Sequence, residues 1–171
     1  GGALKVGPRS AGASPGPACY GLGGEEPTFT DSCVVLGIFD RDTIGAEGIL
    51  IDRELARESI KVRIADHLGI SIEEAANGIY NVTISNLMRT IRAVTVEVGK
   101  DPHDYSLIAF GGAGGMVAAE LANQLGIDRV IIPPLPGVFS ALGLLVAPTL
   151  RSRVVGVFRM LCPETVSNIR T

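Results

Sequence analysis

The residues that invite a chemical reading first are Gly111-Gly112-Ala113-Gly114-Gly115. They follow the apolar run Ser106-Leu107-Ile108-Ala109-Phe110 and precede a helical pattern from Met116 to Leu125 that Gly126 stops. A strand that ends in glycines and opens a helix puts backbone N–H groups at the carboxyl edge of a sheet, where open α/β sheets bind ligands. Glycine lets the backbone pass close to a flat or charged group, and the helix N-terminus favours an anion. A tight turn that only packs helix on strand needs the same residues, so the loop alone leaves both readings open. The nucleotide class can be narrowed. No Gly-Lys-Ser/Thr occurs, which excludes a Walker A loop. Gly112 and Gly114 supply two glycines of GxGxxG, but Val117 holds the third place and the next strand ends in Ile132-Pro133 without an acid for a ribose. The loop stands late, behind a long helix, which suits a fold in which it covers adenosine.

A second group is Cys19, Tyr20 and Asp31. Cys19 has a nucleophile's chemistry, yet no His or basic residue adjoins it to lower its pKa, so it reads as a packed thiol. Asp31 follows Thr30 and reads as a cap for the next segment rather than a catalytic group. Cys19, Cys33 and Cys162 are odd in number, far apart and not at metal-ligand spacing with His67 or His103. A disulfide framework and a zinc site are therefore not expected, and a reducing, cytoplasmic compartment is. The net charge of −3 carries no basic stripe, which argues against nucleic acid. The strongly apolar stretch Val138 to Ala147, with Ser140 and Gly143 inside it, is too short for a bilayer span, and no signal peptide is visible.

These groups must be positioned by a chain of 171 residues, 46% apolar and 19% charged, which suffices for one ordinary core. Residues 1–30 are turn-rich: 12 of them are Gly or Pro. Val34-Val35-Leu36 is a strand or the start of a helix. Asp52 is an N-cap for a helix carrying Leu55, Ala56, Ile60, Ile64 and Leu68, ended by Gly69. Ser71 and Glu74 form a capping box for a second helix, whose face Ala75, Ile79, Val82, Leu87, Ile91, Val94 and Val98 runs to Gly99. Its polar residues Asn77, Asn81, Ser85 and Asn86 are either a solvated face or the border of a ligand. The run 106–110, the helix 116–125 and Arg129-Val130-Ile131-Ile132 make a βαβ unit with parallel strands. Val138 to Val146 is a last, very apolar helix, and Val154 to Met160 a terminal strand.

Several motifs resemble one family. Val6-Gly7-Pro8-Arg9-Ser10-Ala11-Gly12-Ala13, Pro15-Gly16-Pro17-Ala18-Cys19-Tyr20-Gly21, Gly23-Gly24, Pro27-Thr28 and Thr30-Asp31 through Val34-Val35-Leu36-Gly37 are similar to the hydantoinase A/5-oxoprolinase family. So are Gly99, Asp101-Pro102, Phe110-Gly111-Gly112-Ala113-Gly114, and Pro133-Pro134 with Pro136 to Gly143. The resemblance runs from Gly2 to about Ala147. It implies an α/β, actin-like ATPase (ribonuclease H-like) fold, of which this chain would be the C-terminal half of the second subdomain pair, with a Gly/Pro-rich N-terminal loop region. Residues 1–48 would be the loop segment, 49–147 the nucleotide-binding part, and 148–171 the start of a further segment.

The function implied is ATP-dependent hydrolysis of a cyclic amide, with ATP phosphorylating the carbonyl oxygen. ATP and Mg²⁺ are the implied cofactors and a B-type chain the implied partner. Nucleotide contacts fall on Gly111, Gly112, Ala113, Gly114 and, where family members often carry Asn, on Asn86. Cys19, Tyr20 and Asp31 fall in a substrate-side or interface loop. Gly115-Met116-Val117 stand where the family usually has Pro-Leu-His, Ser14 where it has Asp, and an acidic residue expected near Pro148 is replaced. His103 replaces a frequent Arg and reads as a surface turn residue. The family's two aspartate-glycine-glycine-threonine phosphate loops do not occur here. The chain therefore reads as a piece of a larger soluble enzyme, carrying the adenosine loop without most catalytic carboxylates. A dinucleotide-dependent oxidoreductase module and a non-catalytic remnant packed on a partner remain the alternatives.

Overall fold

The computed structural model describes residues 4–44, 48–154, 156 and 158. They fall into two units, Gly1–Ser140 and Ala141–Thr171. The first is built around one long helix. α1 (Phe29–Val35) is followed by a small antiparallel hairpin, β1 (Thr43–Ile44) and β2 (Ile49–Leu50). α2 (Arg53–Ile60) runs through a wider π turn, Lys61–Ala65, into α3 (Asp66–Leu68). α4 (Ile72–Val94) is the spine. β3 (Leu107–Ile108), α5 (Gly114–Leu125) and β4 (Val130–Ile131) follow. α6 (Phe139–Val146) begins in the first unit and ends in the second.

Side-chain caps decide where the helices start. Asp52 accepts from the N–H groups of Glu54 and Leu55, and Ser71 and Glu74 form the reciprocal capping box. A second capping box, Thr28 with Asp31, settles the run Val34-Val35-Leu36 as helix rather than strand. Gly69 ends the α2–α3 stretch in the left-handed conformation, as its spacing predicts. α4 is shorter than its apolar pattern. Its last turn meets the β-branched run Val94-Thr95-Val96, and Thr95 leaves helical geometry at φ −123°, ψ −81°. The chain then passes into the 3₁₀ turn Val96–Val98 and stops at Gly99 (φ 77°).

The core is shared along α4. Its first half, with buried Ala75, Ala76 and Ile79, packs on Ile60 and Ala65 and on partly buried Leu4, Val6 and Val35. Its second half, through Ile84, Leu87, Met88 and Ile91, packs on Val117, Leu121, Ala122 and Leu125 of α5. Val94 and Val98, which the sequence places on the same face, are instead exposed, because the helix has ended or is ending there. The strands β3 and β4 are parallel, with Leu107 opposite Val130 and Ile108 opposite Ile131, and α5 is their crossover. The βαβ unit expected from the sequence is present, with strands of two residues each. The hairpin β1–β2 was not legible, since Gly45 and Gly48 break the alternation around it. The predicted strand Val154–Met160 lies mostly outside the described residues; Val154 itself is exposed and in no strand. In the second unit the described residues are exposed throughout. Among the described residues no helix is long and apolar enough to cross a membrane.

Candidate functional site

The glycine loop occupies the carboxyl end of β3. Gly111 takes the left-handed conformation (φ 81°), which a side chain would strain, and its N–H donates to Pro136 O at 2.8 Å. Pro136 is brought there by Leu135, whose φ of 54° makes it the one non-glycine residue at positive φ among those described. Such a residue stores about 1–2 kcal/mol, so surrounding structure must hold it. The rings of Phe110 and Phe139, 5.5 Å apart, meet just beside the turn. Beyond this anchor the loop is empty of protein. A Cβ added at Gly111, Gly112 or Gly115 would meet nothing within 4 Å, whereas one at Gly114 would touch Ala109 at 3.5 Å. Three of the four glycines thus border open space, and the fourth lets α5 sit closely on β3.

α5 starts two residues earlier than its sequence pattern suggests, at Gly114, and its N-cap is Ala113. Alanine has no side chain to accept from the first-turn N–H groups. α1, α2 and α4 are all capped by a Thr, Asp or Ser side chain. α5, like the short α3 that continues the π turn, has no side-chain cap. Tyr80 of α4, which no motif singles out, fixes this helix by donating its hydroxyl to Met116 O at 3.0 Å. Its only signal in the sequence is a polar-tipped ring on a buried helix face.

The loop of Cys19, Tyr20 and Asp31 is built differently: its polar groups are consumed internally. Asp31 is fully buried. Its carboxylate accepts from the N–H of Ala18 (3.2 Å), Cys19 (2.8 Å) and Thr28 (2.8 Å), and from the Thr28 hydroxyl (2.7 Å). One side chain therefore caps α1 and clasps the Pro17–Tyr20 turn to it. Cys19 is also fully buried, packed with Val34 and Ala56. Burial, with the adjacent Asp31 charge, pushes its thiol far above the ordinary range. Burial likewise raises Cys33, to about 12. Neither is a thiolate near neutral pH, which agrees with the packed-thiol reading. Tyr20 is half-buried and its phenol is raised by burial first and by the neighbouring Cys19 and Asp31 next.

Asn86 faces neither loop by any hydrogen bond: its amide donates to Val6 O at 3.2 Å and its oxygen accepts from Arg89. It ties the N-terminal segment to α4. His103, as expected, is an exposed turn residue, paired with Asp101 at 2.6 Å and raised by that hydrogen bond and charge. A feature the sequence did not announce is an open cleft of about 600 Å³ between the Leu4–Gly12 segment, the start of α1, the Lys61–Ala65 turn and α4. Lys5, Arg9, Arg63, Thr28, Ile64 and Ile79 line it, and the glycine loop does not. Its one signal was the turn-rich run Val6–Ala13. Among the described residues no three His, Cys, Asp or Glu side chains stand together as a metal site.

The chain is similar to known proteins over most of its length. The Hydantoinase/oxoprolinase family profile matches residues 1–153. Caprolactamase subunit alpha of Pseudomonas jessenii is 44% identical over 142 residues, which is 83% of this chain and 20% of the relative. The acetophenone carboxylase gamma subunit of Aromatoleum aromaticum is 41% identical over 82% of this chain and 19% of its own length. The crystal structure of the ATP-dependent caprolactamase from Pseudomonas jessenii superposes with a TM-score of 0.76 at 45% identity, covering 83% of this chain and 20% of that one. The chain spans about one fifth of the length of these relatives. With the family profile covering most of its residues and the glycine loop standing open at the end of a parallel strand, the chain belongs to the hydantoinase/oxoprolinase family.

Proposed function

We propose that this chain is the adenosine-binding part of an ATP-dependent amidohydrolase acting on a cyclic amide of the hydantoin, 5-oxoproline or lactam type. The observation that carries the reading is the glycine loop: Gly111, Gly112 and Gly115 border open space, and α5 begins beside them without a side-chain cap. Gly111, Gly112, Ala113 and Gly114 are the proposed contacts, their backbone lying against the nucleoside. The relatives add weight, since the caprolactamase of known structure is ATP-dependent and caprolactam is a cyclic amide. A ring amide is a poor electrophile. Phosphorylating its oxygen activates the carbon: one water adds, the C–N bond breaks with the ring nitrogen leaving as the amine, and a second water releases phosphate from the resulting acyl phosphate, so that ATP, amide and two waters become ADP, phosphate and the opened amino acid.

Mg²⁺ is part of the same proposal, with its ligands expected mostly in polypeptide outside this chain, where the resemblance puts the phosphate loops. The actin-like ATPase fold, with boundaries 1–48, 49–147 and 148–171, is part of the same proposal. So are a cytoplasmic location and a B-type partner; the relatives' designations as subunits favour a partner. Cys19, Tyr20 and Asp31 are proposed to shape the wall of a substrate or interface loop without reacting, and the Val6 contact of Asn86 gives it a supporting place.

The test is a chimera: caprolactamase subunit alpha of Pseudomonas jessenii with its matched segment replaced by this chain. Titration with a non-hydrolysable ATP analogue should give saturable binding and a raised Tm, with no response to NADH. A response to NADH alone favours a dinucleotide module. No response to either favours a packing remnant.

A further inference from the structure

We infer that the cleft beside the Leu4–Gly12 segment is a binding site for a small aliphatic carboxylate, its head held by Lys5 and Arg9 and its tail lying on Ile64 and Ile79. The inference stands on the lining of that cleft and not on the nucleotide reading.

The segment that walls the cleft has no regular secondary structure, yet it is tied down at both ends. Leu4 and Val6 pack on the core that α4 shares with Ile60 and Ala65. Gly78 of α4 allows this: a Cβ added there would stand 3.2 Å from the Leu4 side chain. Val6 O accepts from the Asn86 amide at 3.2 Å. At the far end Ala11 O accepts from the N–H of buried Gly16 at 3.3 Å. The result is a fixed strap with a cleft of about 600 Å³ beneath it, a volume within the range of small-molecule sites.

The cleft is positive in a chain whose net charge is −3. Lys5, Arg9 and Arg63 line it against one carboxylate, Glu26. Arg63 is engaged already, by Glu25 at 3.0 Å and Glu26 at 3.5 Å. Lys5 and Arg9 have no ion-pair partner among the described residues. The strap adds donors of the same sign. The N–H groups of Arg9, Ser10 and Ala11 have no protein acceptor among the described residues. The Ser10 hydroxyl oxygen accepts from the Gly12 N–H at 3.2 Å and keeps its own hydrogen to donate. Successive unpaired backbone N–H groups beside two free cations suit an anion.

The floor sets the class of anion. Ile79 is buried and Ile64 partly buried, and both line the cleft beside Leu4 and Val6. An aliphatic tail takes this surface out of water while its carboxylate stays with the cations. Inorganic phosphate would leave the floor wet, and its second charge would meet Glu26.

The experiment is isoleucine-methyl NMR of the 171-residue chain and of the caprolactamase chimera, titrated with acetate, butyrate and hexanoate, with hexanol, and with inorganic phosphate. Ile64→Val and Ile79→Val assign the two floor signals. Hexanoate should shift both signals saturably, and each added methylene that reaches the floor should tighten binding by up to about fourfold. Hexanol and phosphate should each bind at least about tenfold more weakly than hexanoate. The variant Lys5→Gln/Arg9→Gln should weaken hexanoate by at least about tenfold and leave the Tm within about 1 °C, since both residues are exposed. No saturable shift in either protein overturns the inference. A shift in the chain alone would show that the rest of the protein fills the cleft, and overturns it as well. So does equal affinity across the acid series, hexanol or phosphate as tight as hexanoate, or unchanged affinity in the double variant. An ATP analogue that moves the same two signals would assign the cleft to nucleotide phosphates and overturn it too.

Discussion

Replacing Gly112 by valine separates a structural glycine from a ligand-facing one. An added Cβ at this position meets nothing within 4 Å, and its φ is not in the left-handed region, unlike that of Gly111. The fold should therefore accept the side chain, with a stability change within about 0.5 kcal/mol, as for other surface substitutions. A nucleoside lying against the loop should not accept it. Packed atoms sit about 3.5–4.0 Å apart and each pair is worth about 0.1–0.2 kcal/mol. Pushing a flat ring off the backbone forfeits roughly 10 to 20 such pairs, or about 2 kcal/mol, which is roughly a thirtyfold rise in Kd. The assay is calorimetric titration of the chimera with a non-hydrolysable ATP analogue, beside thermal unfolding of both forms. Gly111→Ala is the contrasting variant. At φ 81° it should cost about 1–2 kcal/mol of stability whatever the ligand does. An unchanged ATP affinity in the Gly112→Val chimera would refute the reasoning, because the empty side of the loop would then face nothing.

Two further outcomes follow from the buried clasp and the thiols. Asp31→Ala removes the acceptor for the buried N–H groups of Ala18 and Cys19 and half of a capping box, at about 1–3 kcal/mol for each stranded donor. A loss of about 3–5 kcal/mol in denaturant unfolding is expected, with Asp31→Asn intermediate; a variant as stable as the parent would show that the clasp does not hold the turn. Cys33 is raised from 9.0 in the unfolded chain to about 12, and Cys19 is raised as well. The folded state favours the neutral thiols, so their contribution is complete below pH 9 and is lost as pH climbs from about 9 toward 12. In a Cys162→Ser background, iodoacetamide at about pH 8, near the ordinary thiol pKa, should label neither thiol until denaturant is added, and rapid labelling of the native protein would contradict their burial.

The sequence made the helices legible because their signals are local. Asp52, Ser71 with Glu74, Gly69 and Gly126 each act within a turn of the residue they cap, and each does so in the structure. The order strand, glycine loop, helix, strand was legible for the same reason. What escaped depends on residues far apart in the chain. The helix pattern cannot reveal that Asn86, expected at the nucleotide from the resemblance, hydrogen-bonds to Val6, 80 residues earlier. The cleft beside Lys5 and Arg63 escaped because it joins the N-terminal segment to two helices. The end of α4 was overextended because periodicity reads the valines but not the departure of Thr95 from helical geometry.

The two candidate loops also differ in what their motif residues still have to offer, and this difference ranks them. In the Pro15–Gly21 and Thr28–Asp31 segments, which carry the most specific resemblance, the polar atoms are spent on one another. The Asp31 oxygens are taken by three N–H groups and a hydroxyl, and the Cys19 sulfur is sealed among Val34 and Ala56. A substrate can touch this loop's outer surface, but it cannot recruit those groups without unmaking the turn. The glycine loop is less distinctive as a sequence, yet it keeps its capacity unspent, with open space at Gly111, Gly112 and Gly115 and an uncapped helix behind it. The clasped turn therefore ties the Pro17–Tyr20 segment to α1, and the nucleotide contacts proposed above rest on the loop whose backbone is left open.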